Sequence, residues 1–132
     1  MDQYNMNALF QQDAVMQMIG AKLTASGHRS AEVSLTVKES HTQGHGTCHG
    51  AIIFAIADSA FAIACNSEQP AVGQHCNISY IKPGKIGDTL TATASFKAPS
   101  GRSEIYDITI SNQHNEIIAE FRGVSRLVTQ QK

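Results

Sequence analysis

The hydrophobic positions of this chain of 132 residues follow a helical spacing first and a strand spacing later. Near the N-terminus, apolar side chains recur every four positions: Met6, Phe10, Ala14 and Met18. This spacing predicts one helix over residues 6–19, with Gly20 at its end. Residues 22–29 are mostly polar and predict a connection. We therefore expect an N-terminal helix and a connection over residues 1–30 of one domain that covers the whole chain.

From residue 31 onward the spacing changes to strict alternation. The apolar members of the alternating series are Ala31, Val33, Leu35 and Val37. Polar side chains occupy the positions between them, which predicts a half-buried strand over residues 31–38. Residues 41–49 are rich in glycine and histidine, and this composition predicts a loop.

The most apolar segment of the chain follows this loop, over residues 50–65. Thirteen of the 15 residues after Gly50 are apolar, and the two exceptions are Asp58 and Ser59. Many of them are alanines and no proline or glycine interrupts the run, so a helix is expected. A helix that is apolar on every side is typically buried on every side, so this one should lie at the centre of the fold.

Four strand patterns, separated by turn residues, come after the helix. They cover residues 72–81, 89–97, 104–111 and 117–128. Because the connections are short, we expect consecutive strands to pair antiparallel as a four-strand meander. The predicted class is α+β, with a sheet that curls around the central helix. One sheet cannot enclose a helix completely, so a partner subunit is expected.

Composition and charge narrow the class of protein. Hydrophobic residues make up 42 % of the chain and its formal net charge is −1, which argues against a nucleic-acid-binding surface or a patch for anionic membranes. No apolar run approaches the ~20 residues that cross a bilayer, and the first residues lack the basic-then-apolar order of a signal peptide. The three cysteines show no CxxC spacing and fit a reducing compartment. We expect a cytoplasmic protein with no nucleic-acid or membrane partner.

Asp58 is the residue whose position most needs a chemical explanation. It lies in the middle of the apolar helix, where burying an unpaired carboxylate costs on the order of several kcal/mol. Such a group is tolerated if it is paired, or if it faces a cavity and takes part in a reaction. We favour a catalytic carboxylate that lines a pocket. A structural carboxylate that meets an arginine or backbone N–H groups is the alternative.

Gly50, at the start of the same helix, is the second candidate. The first N–H groups of a helix lack intrahelical partners and carry partial positive charge, and a glycine lets a ligand approach them closely. This suits the oxyanion of acyl transfer, although an ordinary glycine-rich turn is also possible. Gly50 and Asp58 are eight residues apart, which corresponds to about 12 Å along one helix. If both serve one reaction, they come from two subunits of a dimer with antiparallel central helices.

The segment from His45 to Asn66, HGTCHGAIIFAIADSAFAIACN, resembles the motif HGGxxxxxxD of hotdog-fold thioesterases, in particular the phenylacetic-acid-degradation branch. The resemblance continues through GDTLTATA, YDITISNQ and FRGVS and covers nearly everything after residue 40. It implies hydrolysis of acyl-CoA thioesters without metal or cofactor, in a homo-oligomer that is a dimer or a dimer of dimers, often a homotetramer. It also favours phenylacetyl-CoA and ring-hydroxylated aryl-acetyl-CoA as substrates over long fatty acyl-CoA.

The resemblance assigns roles to individual residues. The motif aspartate falls on Asp58 and the oxyanion glycine on Gly50. A polar residue seven positions earlier falls on Gln43, whose amide could hydrogen-bond the thioester carbonyl or the attacking water. The motif's second glycine is Ala51 here, which departs from the pattern but leaves the Gly50 N–H available. Ala62 stands where some related enzymes carry a hydroxyl, which puts in doubt any mechanism that needs one.

Further residues are candidates for binding the substrate. His49 and Ala51 flank Gly50 and are expected to line the substrate site. His75 and Asn77 share one face of the strand after the helix and are candidates for the acyl pocket. Residues at or near turns are candidates for contacts with the CoA phosphates, although each also fits as a solvated loop residue. These are Lys82, Lys97, Arg102 and Ser103.

Three other interpretations remain open. His41, His45 and His49 recur every four residues near Cys48, which suggests a zinc site, but intervening glycines make the segment a poor helix and we predict no metal. A hotdog hydratase or dehydratase would use a histidine such as His49 with a carboxylate. A non-catalytic acyl-CoA-binding sensor would use the same pocket, but the residues before the first strand are too few and insufficiently basic for a helix-turn-helix module.

Overall fold

The structure is a computed structural model that describes residues 5–128. The helices are α1 (Met6–Gln11), α2 (Ala14–Ile19) and α3 (Gly50–Cys65), and a 3₁₀ turn covers Glu39–His41. The strands are β1 (Lys22–Gly27), β2 (Ser30–Thr36), β3 (Ala71–Tyr80), β4 (Thr89–Ser100), β5 (Ser103–Ser111) and β6 (Ile117–Leu127). They form one antiparallel sheet in the order β1-β2-β4-β5-β6-β3, and α3 contacts every strand. The prediction of an α+β fold with one central helix is confirmed.

The N-terminal segment differs from the single helix predicted over residues 6–19. It forms two helices of six residues each. Asp13 caps the second of them, because its Oδ1 accepts a hydrogen bond from the Met16 N–H at 3.1 Å. A short side chain that bonds to nearby backbone N–H groups competes with a continuous helix. Gly20, with a φ of 80°, ends α2 as predicted.

Residues 22–29, predicted to be a connection, form strand β1 for most of their length. This strand pairs with β2 and lies at one edge of the sheet. Five of its six residues are exposed. Leu23 and Ala25 do alternate with polar residues, but the series is short and its one large apolar side chain is only partly buried, which explains why the prediction was wrong.

The meander predicted for the four strands after α3 is also wrong in its order. β3 pairs with β6, whereas β4 lies between β2 and β5. The connection over residues 81–88 therefore joins two strands that are not neighbours in the sheet. Short connections favour the pairing of consecutive strands but do not enforce it. As a consequence, β3 lies at the second edge of the sheet.

Helix α3 is buried against the sheet but exposed along one stripe. Its buried face includes Ile53, Ile56, Ala60 and Ile63. Ala51, Asp58 and Ala62 face solvent in the single chain, so the prediction of a helix buried on every side is wrong for one chain alone. Although α3 is very apolar, neither it nor another helix within residues 5–128 has the length and composition to cross a bilayer.

Candidate active site

A cavity of about 510 Å³ lies between α3 and the edge strand β3. Asp58 lines this cavity together with Phe54 and Phe61 from α3 and with His75 and Cys76 from β3. Most of the wall on the α3 side is apolar, and the aspartate is its only charged group among the lining residues that the structure describes. Asp58 thus lies in the wall of an open cavity and is not sealed in the protein interior.

The Asp58 carboxylate has no hydrogen-bond or ion-pair partner within residues 5–128. Partial burial raises its pKa above the ordinary value of an aspartate, and the nearby Asp13 carboxylate raises the pKa further. Solvent still reaches the side chain in the single chain. A carboxylate with a raised pKa binds a proton more readily than an ordinary aspartate, which suits it to act as a general base.

The Phe61 ring can form part of this wall because two glycines lie beneath it in the sheet. A Cβ on Gly123 would lie 2.7 Å from the ring, and one on Gly73 would lie 3.3 Å from it. The ring also packs against Tyr106 and Phe121, with centroids 5.9 Å apart in both pairs. Glycine at these strand positions therefore lets the aromatic side chain of α3 approach the sheet closely.

Gly50 is the first residue of α3, and its backbone N–H has no hydrogen-bond partner among the described residues. The next N–H, of Ala51, donates to Nδ1 of His49 at 3.0 Å, so His49 caps the helix. The Tyr80 hydroxyl donates to the Gly50 carbonyl at 3.0 Å, and a Cβ on Gly50 would lie 3.2 Å from the Tyr80 ring. The positive end of the helix thus presents the Gly50 N–H, which no group within residues 5–128 accepts.

The loop before α3 is held in shape by its own side chains. Gln43 Nε2 donates to the Thr47 hydroxyl at 2.8 Å, and Gln43 Oε1 accepts from the His45 N–H at 2.8 Å. The Cys48 N–H donates to the Gly84 carbonyl at 2.7 Å, which ties the loop to the connection between β3 and β4. The resemblance implies that Gln43 contacts the substrate. Here its amide shapes the loop, with one Nε2 hydrogen left over for a further partner.

Gly50 and Asp58 of one chain are too far apart to act on the same substrate group, because the rigid helix α3 separates them. Both belong to this one helix, and their positions differ by eight residues. At ~1.5 Å per residue the separation is about 12 Å along the axis, too far for one carbonyl group to contact both. A single chain therefore contains both predicted groups but does not bring them together.

The two candidates for the acyl pocket separate in the structure. His75 lines the Asp58 cavity, whereas Asn77 is outside its lining. The pairing of β3 with β6 shifts between Gly73 and His75, where β3 carries one extra residue. His75 and Asn77 both follow this bulge and are in regular register with β6, so they still share one face of β3, and His75 is the one nearer the cavity.

Of the residues proposed for the CoA phosphates, Lys82 lies beside a second cavity. This cavity, of about 460 Å³, is also lined by Lys85 and His114. The Lys82 ammonium pairs with the Glu116 carboxylate at 3.0 Å. The cavity therefore contains basic groups, one of which is already partly neutralised.

The other three phosphate candidates lie at the hairpin between β4 and β5. Lys97 is near the end of β4, Arg102 is in the turn and Ser103 begins β5. The Arg102 guanidinium donates to the Leu127 carbonyl at 3.4 Å. None of the four candidates lines the Asp58 cavity of its own chain.

The histidines that suggested a zinc site have different surroundings. The His41 ring is buried and bonded to two backbone groups, and the His49 ring caps α3. Within residues 5–128, no three side chains of the metal-binding types lie close enough together to hold one ion.

Three residues of the site were missed from the sequence: Asp13, Cys76 and Tyr80. An aspartate before an apolar helical pattern is an N-cap signal that could have revealed the start of α2 at Asp13. Burial and the Asp58 carboxylate raise the pKa of the Cys76 thiol, so it lines the cavity as a neutral group. The contact of Tyr80 with Gly50 joins positions 30 residues apart, and no local pattern reveals it.

Comparisons with known proteins identify relatives of this chain. Residues 45–119 match the model of the thioesterase superfamily. The chain is 39 % identical to the acyl-coenzyme A thioesterase PaaI of Escherichia coli, over 94 % of this chain and 89 % of that protein. The structure of E. coli PaaI, from the phenylacetic acid degradation operon, matches with a TM-score of 0.91 at 38 % identity and covers 96 % of this chain and 93 % of that one. A point variant of the phenylacetic acid degradation protein PaaI of Thermus thermophilus matches with a TM-score of 0.85 at 32 % identity, over 88 % and 100 % of the two chains.

Proposed function

The chain belongs to the thioesterase superfamily and is a thioesterase with the hotdog fold, and from this premise we propose that it hydrolyses acyl-CoA thioesters to a free acid and CoA. The observation that carries the proposal is the Asp58 carboxylate, which has no partner among the described residues and lies in the wall of a cavity of about 510 Å³. A carboxylate with a raised pKa beside an apolar cavity is suited to activate water or to attack a thioester.

The acyl group that we propose is an aryl-acetyl group, such as phenylacetyl or its ring-hydroxylated forms. Phe54 and Phe61 give the cavity aromatic walls, and aromatic rings pack favourably edge to face against one another. The polar side chains of Gln74, His75 and Asn66 are also in the lining and could meet a ring hydroxyl. The E. coli relative is named for an operon of phenylacetic acid degradation, which supports the same class.

The complete site, in our proposal, forms between two copies of the chain. About 12 Å along α3 separates Gly50 from Asp58, and the stripe of α3 that carries Asp58 is exposed in one chain. Strand β3 also lies at an edge of the sheet, where no described strand pairs with its outer side. It carries exposed apolar residues at or next to both ends, namely Val72, Tyr80 and Ile81. A second copy that covers this edge would place its own α3 across from the first, in a dimer or a dimer of dimers.

The mechanism that we propose begins with the thioester carbonyl oxygen at the Gly50 N–H of one subunit. Asp58 of the facing subunit removes a proton from water as the water oxygen attacks the carbonyl carbon, or else attacks that carbon itself to form a mixed anhydride that water then cleaves. In both routes the C–S bond breaks and the CoA thiolate leaves and takes up a proton. The Gly50 N–H stabilises the negative charge that develops on the oxygen.

The CoA phosphates need basic partners outside the acyl cavity. The cavity with Lys82, Lys85 and His114 adjoins the loop of Gly50, because the Gly84 carbonyl accepts from the Cys48 N–H. We propose this cavity as the phosphate site. The hairpin with Lys97, Arg102 and Ser103 is the second candidate, and it would act across the subunit interface.

We also propose a cytoplasmic location, which the free thiols of the three cysteines support.

The test of the activity is a thiol-release assay over aromatic, short and long acyl-CoA substrates. We expect the highest kcat/KM with aryl-acetyl-CoA. Thiol release with a preference for long acyl chains would contradict the substrate class, and substrate binding without thiol release would support a silent sensor. Hydration of enoyl-CoA without thiol release would support the hydratase alternative. That alternative is weakened by the use of the His49 ring as a helix cap.

The two-subunit site has a sharper test, which mixes two inactive variants. Asp58→Asn removes the carboxylate, and Gly50→Pro removes the N–H at a helix position where proline is well tolerated. If the site is shared, each mixed dimer holds one intact site and one inactive site. Because random mixing makes about half of the dimers mixed, we expect about a quarter of the wild-type activity. If both groups act within one chain, mixing restores nothing.

A further inference from the structure

His41 is a buried histidine just before the loop that leads to α3. Its side chain and backbone together are 3 % exposed. Its Nδ1 accepts a hydrogen bond from the Lys38 N–H at 2.9 Å, and its Nε2 is 2.8 Å from the Ile19 carbonyl oxygen. Both ring nitrogens are therefore bonded to backbone groups, one in the 3₁₀ region and one at the end of α2.

These two contacts fix the form of the imidazole ring. A backbone N–H can only donate, so Nδ1 must be the acceptor and carries no proton. A carbonyl oxygen can only accept, so Nε2 must carry the proton. The ring is thus neutral, in the Nε2–H tautomer, and it satisfies one of the carbonyl groups that a helix leaves unpaired at its C-terminus.

The backbone of His41 connects this anchor to the start of α3. The His41 carbonyl accepts a hydrogen bond from the His49 N–H at 2.8 Å, and Thr42 pairs with Cys48 in an isolated antiparallel bridge. The loop over residues 42–48 is therefore closed at its base between His41 and His49. His49 in turn caps α3 and is covalently joined to the Gly50 N–H.

We propose that His41 is a positioning residue for the Gly50 oxyanion donor, through the anchor that it provides between the end of α2 and the base of loop 42–48. This inference rests on the proposed function, in which the Gly50 N–H contacts the thioester oxygen. The N-terminal helices, which precede the matched thioesterase region, then help to set the oxyanion site. His41 itself does not touch the substrate.

The test compares His41→Leu with His41→Gln in a thiol-release assay on the full-length protein. Leucine removes both side-chain hydrogen bonds, whereas the Nε2 donor of glutamine has a reach similar to that of the imidazole Nε2 and can keep the bond to the Ile19 carbonyl. We expect His41→Leu to lower kcat about tenfold with KM changed less than about twofold, since complete loss of an oxyanion donor costs ~10²–10³-fold in kcat. His41→Gln should recover most of that loss.

A second variant separates positioning from general loss of stability. Val33→Ala removes core volume in β2, outside the loop and the cavity, and should lower the melting temperature without lowering kcat. Amide hydrogen exchange over residues 42–50 should accelerate in His41→Leu and stay as in the wild type in Val33→Ala.

The outcomes distinguish this inference from the function beneath it. A wild-type protein that releases no thiol from any acyl-CoA would overturn the proposed function. An active wild type whose His41→Leu variant keeps its kcat would overturn the role of His41 alone. The same conclusion would follow if the kcat of Val33→Ala fell in parallel with that of His41→Leu at matched melting temperatures.

Discussion

The start and the middle of α3 carry the two groups of the proposed reaction, and these two groups differ in how many contacts hold them. At the N-terminal end, the backbone around Gly50 is fixed by the His49 cap, the Tyr80 hydroxyl and the closed loop before it. In the middle, the Asp58 carboxylate has no partner within residues 5–128 and faces a cavity. The backbone at Gly50 is thus fixed by several contacts, whereas the Asp58 side chain has none of this kind among the described residues.

The difference matches what the proposed reaction requires of each group. A hydrogen-bond donor for a developing oxyanion works best when it is already oriented, because no energy is then spent on reorganisation during the reaction. A base or nucleophile needs an available lone pair and a high proton affinity, which ion pairs and hydrogen bonds would lower. Extensive bonding supports the first role and would impair the second.

The largest effect is expected from removing the Asp58 carboxylate. Asp58→Asn should lower kcat by at least ~10²-fold, the usual scale of general acid–base groups, as measured by thiol release. The matched control is Asp107→Asn, which breaks an exposed pair with Arg122 and should leave kcat unchanged. Near-normal turnover of Asp58→Asn would show that the carboxylate takes no part in the reaction. The contrast between Gly50 and Asp58 would then have no functional meaning.

The second effect concerns the fixed end of α3. Gly50→Pro removes the N–H and should lower kcat by ~10²–10³-fold, as expected for the loss of an oxyanion donor. Gly50→Ala adds the same Cβ near the Tyr80 ring but keeps the N–H, so it should lose far less activity. Equal losses in the two variants would indicate that crowding, and not the missing donor, is responsible.

The pH dependence tests the unpaired state of Asp58. The reaction needs the ionised carboxylate, so kcat/KM should rise with pH through the raised pKa of Asp58. Asp13→Asn removes one cause of the raised pKa but keeps an N-cap oxygen for α2, so the acid limb should move to lower pH. An unchanged acid limb in a folded Asp13→Asn protein would show that Asp13 does not act on Asp58.

The same raised pKa has a consequence for stability. Because the folded state binds the Asp58 proton more tightly than the unfolded state, this group favours folding below the unfolded pKa of ~3.9, and the benefit is lost as the pH rises through the folded pKa. At pH 7.5, Asp58→Asn should therefore melt no lower than the wild type. A clear fall in its melting temperature would indicate a hidden partner for the carboxylate.

The smallest effect is expected from the Tyr80 hydroxyl. Tyr80→Phe removes one of several contacts that hold the start of α3, and the residue is half exposed, so the loss of stability should be about 0.5–1 kcal/mol. We expect kcat to change by less than about threefold, since the His49 cap and the loop remain. A tenfold fall would show that the fixed end depends on this single contact.

Some features of the protein could be predicted because they are local. The apolar run predicts α3 at its observed bounds, and alternation predicts β2 and the four later strands to within a few residues. The glycine at the start of α3 and the spacing of eight residues to Asp58 fix the distance between the two groups, because the rise of a helix does not depend on its surroundings. For the same reason the sequence alone suggests a second subunit.

Other features depend on contacts between distant residues, and only the tertiary structure decides them. The place of β3 beside β6, the cavity that this leaves next to Asp58, and the approach of Asp13 and Tyr80 to the two halves of α3 have no local pattern. The edge strand β1 was missed because its apolar series is short and its one large apolar side chain, Leu23, is only partly buried. The spacing of apolar residues shows which face of a helix or strand is buried. It does not show which other element packs against that face, and strand order and cavity shape depend on that packing.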